Sequence, residues 1–149
     1  MRTKETDKYR VGIGEVGEVD RRETPYRKMV ELACRKAVEE TCLPIPLPKE
    51  LNPGIAFFTL KGEQWPYTWR AMAASKDRVR PTQFEGIIHN SAPGFAAIQL
   101  GLTGPQFALV GGDARAVAET QLKVGRSKFM LVCHADLESA ECYALEVVE

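Results

Sequence analysis

Between Phe107 and Cys133 the chain changes period twice, each time across glycine. Phe107–Val110 is a short apolar run of the kind that suits a buried strand, and Gly111-Gly112 ends it. From Asp113 to Val124 the side chains Val117, Ala118, Gln121 and Leu122 recur three or four apart, the spacing of one helical face. Gly125 stops that helix, and Phe129–Cys133 is a second apolar run. The predicted order is strand, tight glycine turn, helix, strand. Asp113 falls where strand gives way to helix, at the positive end of the helix dipole and among unpaired backbone N–H groups. A thiolate at such an elbow is an activated nucleophile, whereas a carboxylate there is a good N-cap, the role preferred for Asp113.

The flanking segments extend the pattern. Met1–Lys8 is charged and unpatterned and is expected to be a disordered tail, leaving 9–149 as a single domain. Tyr9–Val19 reads as a strand. It contains Gly12-x-Gly14-x-x-Gly17, the letters of a dinucleotide fingerprint, but Glu18 to Arg22 separate those glycines from any helix, which the fingerprint requires them to open. Close packing of a glycine-rich strand accounts for them better. Thr24-Pro25 starts a helix, with Thr24 as N-cap and Pro25 at the first helical position. Tyr26, Val30, Ala33, Ala37 and Thr41 line one face, with Met29 and Cys34 beside them. Arg27, Lys28, Glu31, Arg35, Glu39 and Glu40 are expected to be mostly solvated. A proline-rich connection over Leu43–Pro53 leads to a strand at Ile55–Leu60, and strand–helix–strand favours a parallel pair with a right-handed crossover. Ser91–Leu102 is a helix of small residues, suited to close packing between layers or subunits. Lys128–Cys133 and Cys142–Val148 make an antiparallel pair around the polar turn Ala135–Ser139. The order β, α, β, α, α, β, α, β, β predicts an α/β fold: a mostly parallel mixed sheet packed by helices, ending in an antiparallel strand pair.

Composition narrows the partners. Twenty basic and twenty acidic side chains cancel among 149 residues, so neither a nucleic acid nor a membrane is expected as partner. The start, MRTKETDKYR, lacks the apolar centre of a signal peptide and no apolar run has membrane-span length, so a cytoplasmic location is expected. Cys34, Cys42, Cys133 and Cys142 are scattered with no C-x-x-C pair, which favours intracellular thiols over disulfides or zinc; no metal and no cofactor is expected. Trp65, Tyr67 and Trp69 beside Arg70, Lys76, Arg78 and Arg80 fit a short helix, Tyr67–Ala74, that covers the sheet with its aromatics.

Pro81-Thr82-Gln83-Phe84, His89-Asn90-Ser91-Ala92, Gly94, Gly104-Pro105 and the Gly125 turn before an apolar strand resemble the N-terminal half of a β-ketoacyl synthase. They are most similar to short ketosynthase-like N-terminal-domain proteins. The resemblance runs from about Arg80 to Asp136 and rests on element order alone before Thr59. It implies one half of a thiolase-like fold, without the second half that brings the substrate-binding histidines; His89 and His134 match neither of them. It also places Asp113 where a working ketosynthase carries its nucleophilic cysteine. The region matching His89, Asn90 and Ser91 helps to shape the subunit contact and the floor of the acyl site. The strand matching Gln106–Val110 lies at the sheet edge and pairs with its mate, so Phe107 and Leu109 are candidate interface residues. Docking of an acyl carrier protein through the 61–80 region is a further implication.

Two functions follow. The first is a non-catalytic ketosynthase-like protein, an assembly or chain-length-type partner in fatty-acid, polyketide or aryl-polyene synthesis, forming a homodimer or a heterodimer with a ketosynthase. The alternative is an acyltransferase or thioester hydrolase that uses a non-standard nucleophile or is completed by a partner chain. Neither Cys133-His134 nor His89 with Ser91 supplies that nucleophile plainly. Adjacent strand residues point to opposite faces, and no third group orients the second pair. His89 and Asn90 are better read as buried hydrogen-bonders, and Cys133 as a small buried hydrophobe.

Overall fold

The computed structural model describes residues 1–19, 24–60 and 91–148. Six strands and three α-helices lie in them, besides two single-turn 3-10 segments: β1 (Arg2–Glu5), β2 (Tyr9–Gly12), α1 (Pro25–Glu40), β3 (Gly54–Thr59), α2 (Ser91–Leu100), β4 (Gln106–Val110), α3 (Ala114–Lys123), β5 (Phe129–Ala135) and β6 (Ser139–Val148). The strands form one mixed sheet in the order β1-β6-β5-β3-β4, with β2 also paired to β6. β3 runs parallel to both β4 and β5, while β6 is antiparallel to β5, β1 and β2. Among the described strands β6 alone is therefore reversed, and because it lies inside the sheet the pairings divide into two parallel and three antiparallel: an α/β mixed sheet packed by helices, whose last two strands are the antiparallel pair that the sequence predicts.

Alternation along the strands divides the core into two layers. Ile55, Phe57, Phe129, Leu131, Cys133, Cys142 and Ala144 pack with α1 and α2 on one side. Ala56, Met130, Val132, Tyr143 and Leu145 pack under Ala114, Ala118 and Leu122 of α3 on the other. β6 thus buries both of its faces. α1 begins as expected: the Thr24 hydroxyl accepts from Arg27 N–H, and Pro25 stands in the first turn. Its buried face comprises Tyr26, Met29, Val30, Ala33, Cys34, Ala37 and Val38. α2 lays Ala92, Ala96 and Leu100 into the same layer, where small side chains permit a close approach of the two helices.

Four expectations need correction. Arg2–Glu5 is a strand rather than a disordered tail. It has no apolar signal of its own, but it pairs with Leu145–Val148, and Thr6 continues the ladder through bonds of 2.9 and 3.0 Å to Ala144. The strand expected over Tyr9–Val19 ends at Gly12; Ile13 donates to Glu138 O and a single tight turn follows. β2 and β3 are not neighbours, because β6 and β5 lie between them. Glu31 is buried at 1 % exposure instead of solvated, held by Arg35 at 2.7 and 2.9 Å and by Lys28 at 3.4 Å. The helix expected over Tyr67–Ala74 and the aromatic–basic cluster around it lie outside the described residues.

Candidate functional site

The elbow after β4 is built from backbone geometry. Gly111 and Gly112 have φ of +74° and +83°, a left-handed pair that side chains resist. Gly111 N–H donates to Thr59 O at 2.7 Å, pinning the turn to the end of β3. Asp113 then returns to extended backbone, and its Oδ1 accepts from Ala116 N–H at 3.0 Å. The carboxylate is exposed and caps α3. Arg115, in the first turn of α3, is committed elsewhere: it pairs with Glu119 at 2.6 Å and with Glu5 of β1. The helix closes at Gly125, φ +77°, with Arg126 N–H reaching back to Gln121 O.

Beside the elbow β4 is the last of the described strands in the sheet order and pairs with β3. Phe107 and Leu109, in register with Ala56 and Phe58, are half-buried. A groove of about 480 Å³ opens where this strand meets the start of α2, lined by Pro93, Gly94, Gln106, Phe107 and Ala108. Of the candidate residues, Phe107 lines the groove, while Leu109 and Asp113 lie further along the same strand and turn. Ser91 is half-buried at the first residue of α2, two positions before the lining Pro93. His89 and Asn90 lie outside the described residues. His134 is exposed on β5, its ring 5.4 Å from that of Phe58.

Sequence spacing concealed a second constellation. Cys34 on α1, Cys133 on β5 and Cys142 on β6 are fully buried, and their sulfur atoms all lie within 4.8 Å of one another. Cys133 and Cys142 face each other directly across the β5–β6 ladder. Hydrogen bonds from Cys133 and then Cys142 hold the Cys34 thiol below its ordinary range, against burial, which alone would raise it. Burial, followed by the two other sulfurs, pushes Cys142 up. Only local hydrophobicity at each cysteine was legible; nothing in the intervals between positions 34, 133 and 142 marks them as neighbours. No helix among the described residues is long and apolar enough to cross a membrane.

No protein-family model matches the chain, and no curated protein matches it. Solved structures do. One is from the ketosynthase ApeO in complex with its chain length factor ApeC from Xenorhabdus doucetiae, at TM-score 0.64 and 12% identity, covering 99% of this chain and 80% of that one. Another is AbyA1, a tetronic acid condensing enzyme, at TM-score 0.58 and 14% identity, covering 99% of this chain. The present chain spans 53%, about half, of that enzyme. At such identities the likeness is one of fold: an α/β mixed sheet with helices, of the thiolase-like kind seen in ketosynthases.

Proposed function

We propose that this chain is a non-catalytic ketosynthase-like protein, an assembly or chain-length-type partner in fatty-acid, polyketide or aryl-polyene biosynthesis. The observation that carries this reading is the elbow between β4 and α3. An exposed carboxylate, engaged as a helix cap, stands there at the position that the sequence resemblance assigns to a nucleophilic cysteine. A ketosynthase nucleophile must exchange one thioester for another, and a thiolate at a helix N-terminus does so because its charged form is stabilised and its sulfur is soft. An aspartate would have to hold the acyl group as a mixed anhydride, which water destroys. The likeness to one chain of a complex between a ketosynthase and its chain length factor supports a ketosynthase as partner. Pairing through β4, which the sequence resemblance implies, is supported by the half-buried Phe107 and Leu109 on that strand and by the groove beside it.

The purified chain, incubated with acyl and malonyl thioesters, is expected to show no covalent adduct by intact mass and no condensation product. Sedimentation at low micromolar concentration is expected to show self-association, or association with a ketosynthase encoded beside it. Phe107→Lys or Leu109→Glu should shift that assembly toward monomer. An acyl adduct or turnover by the chain alone overturns the reading and favours an acyltransferase or thioester hydrolase. A clean monomer that also ignores the ketosynthase removes the assembly role.

A further inference from the structure

We propose that Cys34, Cys133 and Cys142 form a trigonal thiolate site for a copper(I) ion, buried between α1 and the sheet. Three secondary-structure elements deliver one sulfur each to a common point. Cys34 belongs to the buried face of α1; Cys133 and Cys142, opposite each other on β5 and β6, share the sheet face that α1 covers. A metal bound about 2.3 Å from each of three coplanar sulfurs needs sulfur–sulfur separations of about 4.0 Å. The sulfurs already lie within 4.8 Å of one another, so closure requires shifts of less than about 1 Å.

The donor set selects the ion. It is all sulfur, which excludes hard oxygen-seeking cations. Structural zinc takes four ligands, and no fourth His, Cys, Asp or Glu among the described residues joins these three. Glu31, one turn before Cys34, is bound by Arg35 and Lys28. Copper(I) is soft and accepts three sulfurs. Val30, Ala33, Ala37 and Ala144 of the same apolar layer keep water away, and the copper–sulfur bonds must outweigh the cost of burying the two net negative charges that three thiolates and Cu(I) carry. The buried Tyr26 hydroxyl, in the same core layer, has no hydrogen-bond partner among the described residues. Each thiol that binds exchanges its S–H bond for a copper–sulfur bond and releases the proton to solvent. Copper enters and remains as Cu(I), so no oxidant or reductant is consumed. Entry needs a local opening of α1 from the sheet, so loading is slow and sub-denaturing urea accelerates it.

The test is anaerobic titration of the full reduced chain with Cu(I) against a chromogenic chelator, bathocuproine disulfonate. Wild type and Cys42→Ser, which lacks the exposed thiol, should each withdraw one equivalent, and X-ray absorption should show a shell of three sulfurs. Cys34→Ala, Cys133→Ala and Cys142→Ala should each weaken retention more than about 100-fold. The first two measurements leave the core intact, so they decide even where an alanine variant does not fold. No uptake by the wild type, loss of uptake in Cys42→Ser, or coordination by nitrogen or oxygen overturns the site. So does a Zn(II) affinity exceeding that for Cu(I).

Discussion

Replacing Asp113 measures what the carboxylate at the elbow does. Asp113→Ala deletes the acceptor of the 3.0 Å bond from Ala116 N–H and the negative charge at the head of α3. Loss of an N-cap costs typically about 1 kcal/mol, within a range of about 0.5–2 kcal/mol. The site is exposed, so the freed N–H is rehydrated and the cost should stay near about 1 kcal/mol. For a chain of this size that lowers Tm by about 2–4 °C. Asp113→Asn keeps an acceptor and loses only the charge–dipole part, about 0.3–1 kcal/mol at low ionic strength. Urea unfolding should show both as shifts of midpoint at constant slope. In high salt the gap between aspartate and asparagine should narrow while that between asparagine and alanine persists, because only the former is Coulombic. Thr24→Ala is the internal standard: it removes the matching bond at the head of α1 from a buried site, and should cost more. An Asp113→Ala protein as stable as the wild type, or more so, would refute the cap and point to a strained functional carboxylate.

Three further outcomes are expected. Gly104→Ala would place Cβ 2.0 Å from Asn52 O and 2.9 Å from Pro53 O, so it should cost at least about 3 kcal/mol. Gly111→Ala meets open space and should cost only its left-handed backbone, about 1–2 kcal/mol; equal losses in urea unfolding would contradict the packing described. The Tyr9 phenol donates to Glu40 at 2.6 Å, and that bond, more than its surroundings, carries it from 10.0 up to about 12. Its raised folded value contributes stability that is full below pH 10 and lost as pH rises through about 12. Following the Tyr9 ring carbon by NMR, Glu40→Ala should return the titration toward 10, and an unmoved midpoint would exclude that partner. Brief alkylation of the native reduced protein should label Cys42, the exposed thiol, and leave Cys34, Cys133 and Cys142 until unfolding, which peptide mapping by mass spectrometry reads directly.

What the sequence made legible was local. Caps at Thr24 and Asp113, the Gly125 stop and the β5–β6 pair each depend on a few adjacent residues, and each occurs where those residues place it. What it concealed depends on partners distant along the chain. Arg2–Glu5 looks like a tail because its order comes from β6 and from Arg115, which binds Glu5. Glu31 looks solvated because its two basic partners stand on the same helix and would serve equally well in water. The spatial order of strands is not written in their sequence order, so β2 and β3 read as neighbours although two strands separate them. The site divides in the same way: the elbow and the strand before it are local features, whereas the three-cysteine cluster exists only after α1 docks on the sheet.

The pairing of β6 with both β1 and β2 imposes a timetable on synthesis. Thr6 and Ala144 exchange hydrogen bonds across an interval of 138 residues, so β1 and β2 leave the ribosome well before β6, their partner among the described strands. At about 5–20 residues per second this leaves them waiting on the order of ten seconds. A strand reading RTKE suits that wait, since its charges give it little to aggregate through while it is unpaired. The same reasoning sets the order of assembly: α3 and the parallel strands β3, β4 and β5 can consolidate during translation, and the N-terminal edge closes last. Ribosome-stalled chains ending before residue 139 should therefore expose residues 2–12 to protease, and chains extended past 148 should protect them.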